Sequence, residues 1–335
     1  MELNYNYRPR FTEWVIGNRL LKNPFVLIDV GVQGGVHPRW GHLGASLEVH
    51  GFDALDETIA ALKGARRPGH HYYTTALGDQ DGRTTLFVPA NKFAASLSPR
   101  ELAAEQERLR IDPRVSGAAQ QRDVPLARLD TLMQEGLIPP ADFLKMDCEG
   151  SEPAILAGAA ALLSSGTLLG IQSETSLVGT GAAPPHFSRI VEQLRPHGFR
   201  VADLAVGRFA YRSFAARAAK LGRAQAITSA AGPIGALDAL FVRDLTAGPE
   251  SIGPDAILKS AIMFELYGLN DVAHDLLTTL AARFPAELDI AKQADRLIYR
   301  VPAPQPGIST ALRDLGGALR RSLRFRRNRQ ALRGR

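Results

Sequence analysis

Phe25-Val26-Leu27-Ile28-Asp29-Val30-Gly31 is an unbroken apolar run of strand length that stops at an acid and a glycine. A strand apolar at every position is buried on both faces, which is the habit of a parallel strand in an α/β sheet. Similar runs follow on either side of helical patterns. LEVHGF (47–52) reads as a second strand ending at Asp53, and DETIAALKGA has helical spacing. HHYYTTAL (70–77) reads as one third strand, GDQDG as a turn and RTTLFVP as a short strand. FAASLSPRELAAEQERLR begins as a loop and becomes a polar helix; DVPLARLDTLM is a strand end followed by a helix. DFLKMD (142–147) is another buried strand, and SEPAILAGAAALLSSG reads as one helix with Pro153 in its first turn. LLGIQSET (168–175) is a strand, and FRVADLAV with ALDALFVRD form a closing pair. Before all of these, TEWVIGNRLL reads as a short helix. Strands alternating with helices predict an α/β domain, a doubly wound and mostly parallel sheet with helices on both faces.

The chain has 335 residues, 45% apolar and 22% charged. That composition excludes a disordered chain, a fibre and a disulfide scaffold. One cysteine, Cys148, forms no internal disulfide, which is compatible with a reducing compartment. The longest apolar run, Ala154 to Leu163, is too short for a ~20-residue membrane span. The start, MELNYNYRPR, has no apolar signal-peptide core. The expectation is a soluble cytoplasmic protein. Net charge is +6, yet nine arginines and one acid lie between Pro302 and Arg335, leaving 31 basic against 33 acidic residues elsewhere. The basic excess belongs to a tail and not to a face of the fold, so nucleic acid is not the expected partner.

In such sheets a ligand lies outside the carboxyl ends of the strands, near the point where strand order reverses. Those ends carry Asp29, Asp53, Asp79, Lys145 to Glu149, and Glu174. The loop Asp29-x-Gly31-x-x-Gly34-Gly35 lacks the G-x-G-x-x-G spacing of a dinucleotide fingerprint. It also places a carboxylate where a pyrophosphate would be repelled. S-adenosylmethionine has a sulfonium, an α-ammonium and no phosphate, so the acid attracts it. Asp53, 22 residues after Gly31, stands where a ribose-binding acid is expected. Taken alone, the loop leaves open that its glycines serve geometry only.

In LKMDCEG, residues 144–150, the charged Lys145, Asp147 and Glu149 alternate with Leu144, Met146 and Cys148. While the chain is extended the two sets point to opposite sides. Lys145 and Asp147 are either a structural pair or a catalytic platform in which a carboxylate takes a substrate proton and Lys145 tunes it. Glu152 reads as a first-turn acid favouring the helix dipole. Cys148 reads as an inert buried thiol. His70 and His71 point to opposite faces and do not form a metal site.

In this order, VLIDVGVQGG, HGFDA, TTALGDQDG, AASLS, RLDTLM and DFLKMDCEGSEPAILAGAAALL resemble the FkbM family of S-adenosylmethionine-dependent methyltransferases, over about residues 23–245. The resemblance implies a class I methyltransferase fold, a seven-stranded Rossmann-like sheet whose last pair is antiparallel. It implies methyl transfer to a hydroxyl of a sugar, polyketide or similar metabolite. Matched position by position, Asp29, Gly31 and Gly34 fall on the cofactor loop and Asp53 on the acid that holds the ribose. Asp79 falls near the adenine, and Lys145, Asp147 and Glu149 on the methyl-transfer site. Glu174 matches an acid at the end of the fifth strand. The family commonly has Phe-Glu-Pro where this chain has Phe52-Asp53-Ala54. The insert VHPRWGHLG also departs from its pattern, and its His37 and Trp40 are expected to pack and not to roof the cofactor. Asp147 is the first candidate for general base, with Glu149 or a histidine as rivals. A divalent metal on Asp147, Glu149 and Glu174 is the lesser alternative.

Four segments result: a helical start over 1–22, the methyltransferase domain over 23–245, a helical extension over 250–300 and the arginine-rich tail over 301–335. DAILKSAIMFELYGL and NDVAHDLLTTLAARFP read as two amphipathic helices, a helical cap or a homodimer contact. The tail interleaves Leu and Phe with arginine, a pattern for contact with anionic membrane at its inner face, or a solvated tail. Two further readings compete with an O-methyltransferase acting on a glycan or small metabolite. One is a nicotinamide-dependent sugar oxidoreductase or epimerase, disfavoured by the missing G-x-G and by Asp29. The other is a non-catalytic adaptor, disfavoured by acids at every expected strand end.

Overall fold

The computed structural model describes residues 3–65, 67–89, 92–98, 119–177, 186–208, 234–243, 253–284 and 292. The arginine-rich tail and most of the polar helix expected before residue 118 lie outside the described residues. In chain order the elements are α1 (Arg10–Gly17), β1 (Phe25–Val30), β2 (Leu47–Asp53), α2 (Asp56–Gly64), β3 (His70–Thr74), β4 (Ala76–Leu77) and β5 (Gly82–Val88). They continue with β6 (Gln120–Ala127), α3 (Leu129–Gln134), β7 (Phe143–Met146), α4 (Glu152–Ala157), α5 (Ala160–Ser164) and β8 (Gly170–Thr175). The last are α6 (His186–Leu194), β9 (Phe199–Arg208), β10 (Ile234–Arg243), α7 (Pro254–Leu266) and α8 (Asn270–Arg283).

The main sheet has seven strands in the order β3-β2-β1-β7-β8-β10-β9. β1 is parallel to both β2 and β7, and β10 runs antiparallel to both β8 and β9. This is a doubly wound, mostly parallel sheet with an antiparallel final pair, as the resemblance implies. The order reverses between β1 and β7, so the crevice for a ligand opens there, above the carboxyl ends.

Strand alternation assigns the two faces. Phe25, Leu27, Val49, Phe143, Leu240 and Val242 pack with Phe11 and Val15 of α1, with Trp40 and Leu43, and with Ile257, Ile262 and Met263 of α7. Ile28, Val30, Leu144, Met146, Ile171 and Phe241 face the other way, against Leu129, Ile155, Leu162 and Ile190 on α3 to α6. Trp40 is buried between Phe25, Phe143 and Tyr267, so the inserted segment packs. His37 accepts from the Arg39 backbone and guanidinium.

Three elements differ from the sequence reading. The run from His70 to Leu77 is two strands. After Thr74, Thr75 N–H bonds back to Asp53 and the chain crosses to a three-stranded sheet, β4-β6-β5. The segment after Ser151 is two short helices, because Gly158 presses backbone to backbone on Gly78. A Cβ there would stand 1.9 Å from the Gly78 carbonyl oxygen. Finally, α7 is not amphipathic. From Ile257 to Leu266 every residue is buried, polar ones included, and α7 shares one core with the N-terminal segment and the sheet. Lys259 Nζ reaches Asp142 Oδ2 at 2.8 Å and the Pro24 carbonyl at 2.7 Å. Glu265 accepts from Phe11 N–H, Thr12 N–H and Thr12 Oγ1, capping α1, whose Pro9 offers no side-chain cap. No helix among the described residues is long and apolar enough to cross a membrane.

Candidate active site

β1 ends at Val30 and the chain turns at Gly31, with φ of +75°. The turn is held by Gly31 N–H donating to the Phe52 carbonyl at 2.9 Å. On the other side, β7 ends at Met146 and Asp147 N–H donates to the Val30 carbonyl. A Cβ on Gly31 would lie 1.9 Å from the Asp147 carbonyl oxygen. The position therefore needs glycine twice, for its left-handed backbone and for the close approach of the β7 end.

The register of β1 on β7 pairs Asp29 with Lys145. Lys145 Nζ sits 3.2 Å from Asp29 Oδ1, 3.3 Å from Asp147 Oδ2 and 3.2 Å from the Gly31 carbonyl oxygen. One ammonium thus ties the glycine turn to two carboxylates. Burial alone would lower the Lys145 pKa, but the charges of Asp29 and Asp147 hold it above the ordinary lysine range. Asp29 is 4% exposed, and burial pushes it up against the pull of Lys145. Asp147 is 46% exposed. Burial pushes it up too, yet Lys145 and a hydrogen bond from Glu174 carry it below the usual carboxylate value.

These groups border a cavity of about 250 Å³ above the carboxyl ends of β1, β2, β7 and β8. Gly31, Asp53, Asp147, Glu149 and Glu174 line it; Asp29 and Lys145 lie beneath. Gly34 and Asp79 do not line it. Asp79 is exposed beyond β4, and the working acid of that turn is Asp81, which accepts from Arg128 N–H and Thr131 Oγ1 at the start of α3. Asp53 turns Oδ1 to the Leu55 N–H at 2.7 Å, and burial raises its pKa. Glu149 departs from the expected alternation: the strand has ended, and Glu149 adopts φ of +52° at the rim. Its carbonyl accepts from Ser96 Oγ at 2.8 Å, which ties the loop after β5 to the site. Phe93 of that loop stands 69% exposed at the cavity. Glu57 pairs with Lys92 and Arg122 and so fastens the small sheet against α2.

Sequence reasoning missed Gln33, Asp238 and Phe93 here, and gave Glu152 only a helix-dipole role. Gln33 lines the cavity with a buried Oε1 that no donor among the described residues satisfies. Glu152 is first in α4, as expected, but is 1% exposed and accepts from Cys148 N–H at 2.8 Å. Burial raises its pKa to about 7. Cys148 is pushed well above its ordinary value by burial and by the Glu152 charge, so its thiol stays protonated. Asp238, a lone acid in the apolar strand β10, is raised to about 6 by burial and by the Asp147 charge. Its isolation in that strand was the available signal. Phe93 carried none. His70 bonds Tyr72 while His71 stacks on His50, so the histidine pair does face two ways. Among the described residues no three His, Cys, Asp or Glu side chains are disposed to hold a metal ion.

Residues 38–201 match the family model of the methyltransferase FkbM domain. The match takes in Asp53, Asp79, the 145–149 block and Glu174, and leaves out the glycine loop. The FkbM methyltransferase of Methylobacillus flagellatus KT is similar at 13% identity, with a TM-score of 0.36 over 64% of this chain and 43% of that one. The chain thus corresponds to less than half of that protein. A precorrin-6y C5,15-methyltransferase of Geobacter metallireducens GS-15 gives 10% identity and a TM-score of 0.31 over 69% and 87%. A SAM-dependent methyltransferase of Agrobacterium tumefaciens gives 13% and 0.31 over 71% and 62%. No curated protein matches the chain.

Proposed function

Because the chain carries a methyltransferase FkbM domain, we propose that it transfers a methyl group from S-adenosylmethionine to a hydroxyl of a sugar, glycan or small metabolite. The observation that carries this reading is the cavity itself. Among the described residues four acids line it with one cation, Lys92, which is paired with Glu57, while the Lys145 ammonium beneath is engaged by Asp29 and Asp147. Such a lining favours a cationic ligand over a phosphate-bearing one. The unsatisfied Gln33 Oε1 is an acceptor awaiting a donor, which suits an ammonium or an amine. Asp53 turns one oxygen to the backbone and keeps the other for ribose hydroxyls.

Bound there, the cofactor supplies an electrophilic methyl on a positively charged sulfur. The residues of the chain do the rest. Gly31, Gln33 and Asp53 hold the ligand, and Asp147 faces the acceptor side and takes the hydroxyl proton. Lys145 keeps Asp147 ionised and fixed against the turn. Holding both reactants in line lowers much of the barrier, and a general base adds typically ~10²–10⁴-fold. The test is transfer of labelled methyl from S-adenosylmethionine to a panel of hydroxyl-bearing glycans and metabolites. Asp147→Asn is expected to keep cofactor binding and to lose roughly 10²–10⁴-fold in turnover. Undiminished turnover in that variant removes Asp147 from its role.

A further inference from the structure

The proposed reaction leaves Glu174 and Asp238 without work. Both stand on the Asp147 side of the sheet. β8 and β10 are in antiparallel register, with Glu174 opposite Asp238. β7 lies parallel to β8, with Met146 opposite Ser173, which brings Asp147 beside Glu174. The two carboxyl groups stand side by side at adjacent strand ends, and both line the cavity. Two carboxylates held side by side away from bulk water repel each other, so one of them keeps its proton and, once protonated, can donate to its neighbour.

The neighbours decide which one. Asp147 has the Lys145 ammonium at 3.3 Å, itself anchored by Asp29. Glu174 meets only like charge: Asp147 from β7, Glu149 from the following loop, Glu152 from α4 and Asp238 from β10. No cation among the described residues pairs with it. The proton therefore resides on Glu174.

We propose that Asp147 and Glu174 act as one carboxyl pair sharing a single proton, with Glu174 the donor and Asp147 the group that receives the acceptor's proton. Glu174 is then a positioning residue. Its O–H and the Lys145 ammonium fix the Asp147 carboxylate and leave its remaining lone pairs for an acceptor hydroxyl. As the acceptor oxygen bonds the methyl carbon, its O–H bond breaks and that proton moves to Asp147. The carbon–sulfur electron pair returns to sulfur, and the former sulfonium becomes a neutral thioether. The pair then holds two protons, and one leaves to water before the next turnover. Burial, followed by the contact with Asp147 and its charge, pushes Glu174 well above the ordinary glutamate value, in keeping with this arrangement.

The inference rests on the methyl-transfer reading, and its test separates the two. Protein labelled with ¹³C at its carboxyl groups is titrated by NMR from about pH 4 to 10, with Glu174 assigned through Glu174→Gln. The expected result is a Glu174 carboxyl that stays protonated at neutral pH. Asp147→Asn should make that carboxyl more acidic by tenfold or more, since the substitution removes the nearest charge. A Glu174 that ionises in the ordinary glutamate range, or one indifferent to Asp147→Asn, overturns the pair. Binding of S-adenosylmethionine is measured on the same samples. A shared proton without cofactor binding would remove the methyl-transfer role and leave the pair standing as a property of the fold.

Discussion

Gly31→Ala should damage stability and site together, and Gly34→Ala supplies its control. Both glycines sit at positive φ, +75° and +81°. Placing an L-residue there costs roughly 1–2 kcal/mol at either position. The surroundings differ. A Cβ on Gly34 meets nothing within 4 Å, whereas on Gly31 it lands 1.9 Å from the Asp147 carbonyl oxygen and 2.9 Å from its carbon. Those are backbone atoms at the end of a buried strand, so they cannot swing aside. Relieving such overpacking adds roughly 1–3 kcal/mol. Gly31→Ala should therefore cost about 2–5 kcal/mol, and Gly34→Ala about 1–2. Urea denaturation of both variants and of the parent gives the comparison. The relief also has to shift the Gly31 turn, which holds the ligand, so Gly31→Ala should lose adenosyl-ligand binding while Gly34→Ala weakens it less. Equal destabilisation by the two substitutions would refute the close approach of the glycine turn to β7.

Other consequences follow from buried charge. Lys259→Met leaves Asp142 buried beside Val26 N–H without its cation, and is expected to cost about 3–5 kcal/mol. Adding Asp142→Asn should recover part of that cost. A double-mutant cycle measures it, and a single-variant loss below about 1 kcal/mol contradicts the pairing. Glu152 titrates near 7 when folded against 4.5 as its ordinary value, so folding takes up a proton between those limits. Its stabilising contribution is present below the ordinary value and lost as pH rises toward 7, about 3 kcal/mol in all. Glu152→Gln keeps an acceptor for Cys148 N–H and cannot ionise. It should gain on the parent by that amount between about pH 5 and pH 8 in denaturation experiments, and parallel pH profiles would refute this.

The two-faced apolar runs made β1, β7 and β8 legible, since burial on both faces leaves no polar alternation to mistake for a surface strand. The antiparallel closing pair was legible as two strands. The junction at Thr75 was hidden, because an apolar chain passing from one sheet into another keeps the same pattern. The kink in the helical segment had its signal in Gly158, but its cause, the Gly78 backbone, is far away in sequence. α7 was misread because Lys259, Ser260 and Glu265 look like a solvent face. They are buried, and Lys259 and Glu265 have distant partners, Asp142 and the start of α1, which spacing along one helix does not disclose. The site was legible as a set of strand-end acids. Its organisation was not, because Lys145 joins Asp29 to Asp147, and Glu174 faces Asp238, through cross-strand register. Glu149 reached the cavity rim by a left-handed turn, not by the alternation assumed for it.

The most direct measurement is calorimetric titration of the folded protein with S-adenosylmethionine, S-adenosylhomocysteine and NADH. Binding of both adenosyl ligands and not of NADH, weakened at least tenfold by Asp53→Ala, is the expected result. A folded protein that binds neither adenosyl ligand, or one that binds NADH in their place, would contradict assignment of the cavity to a methyl donor.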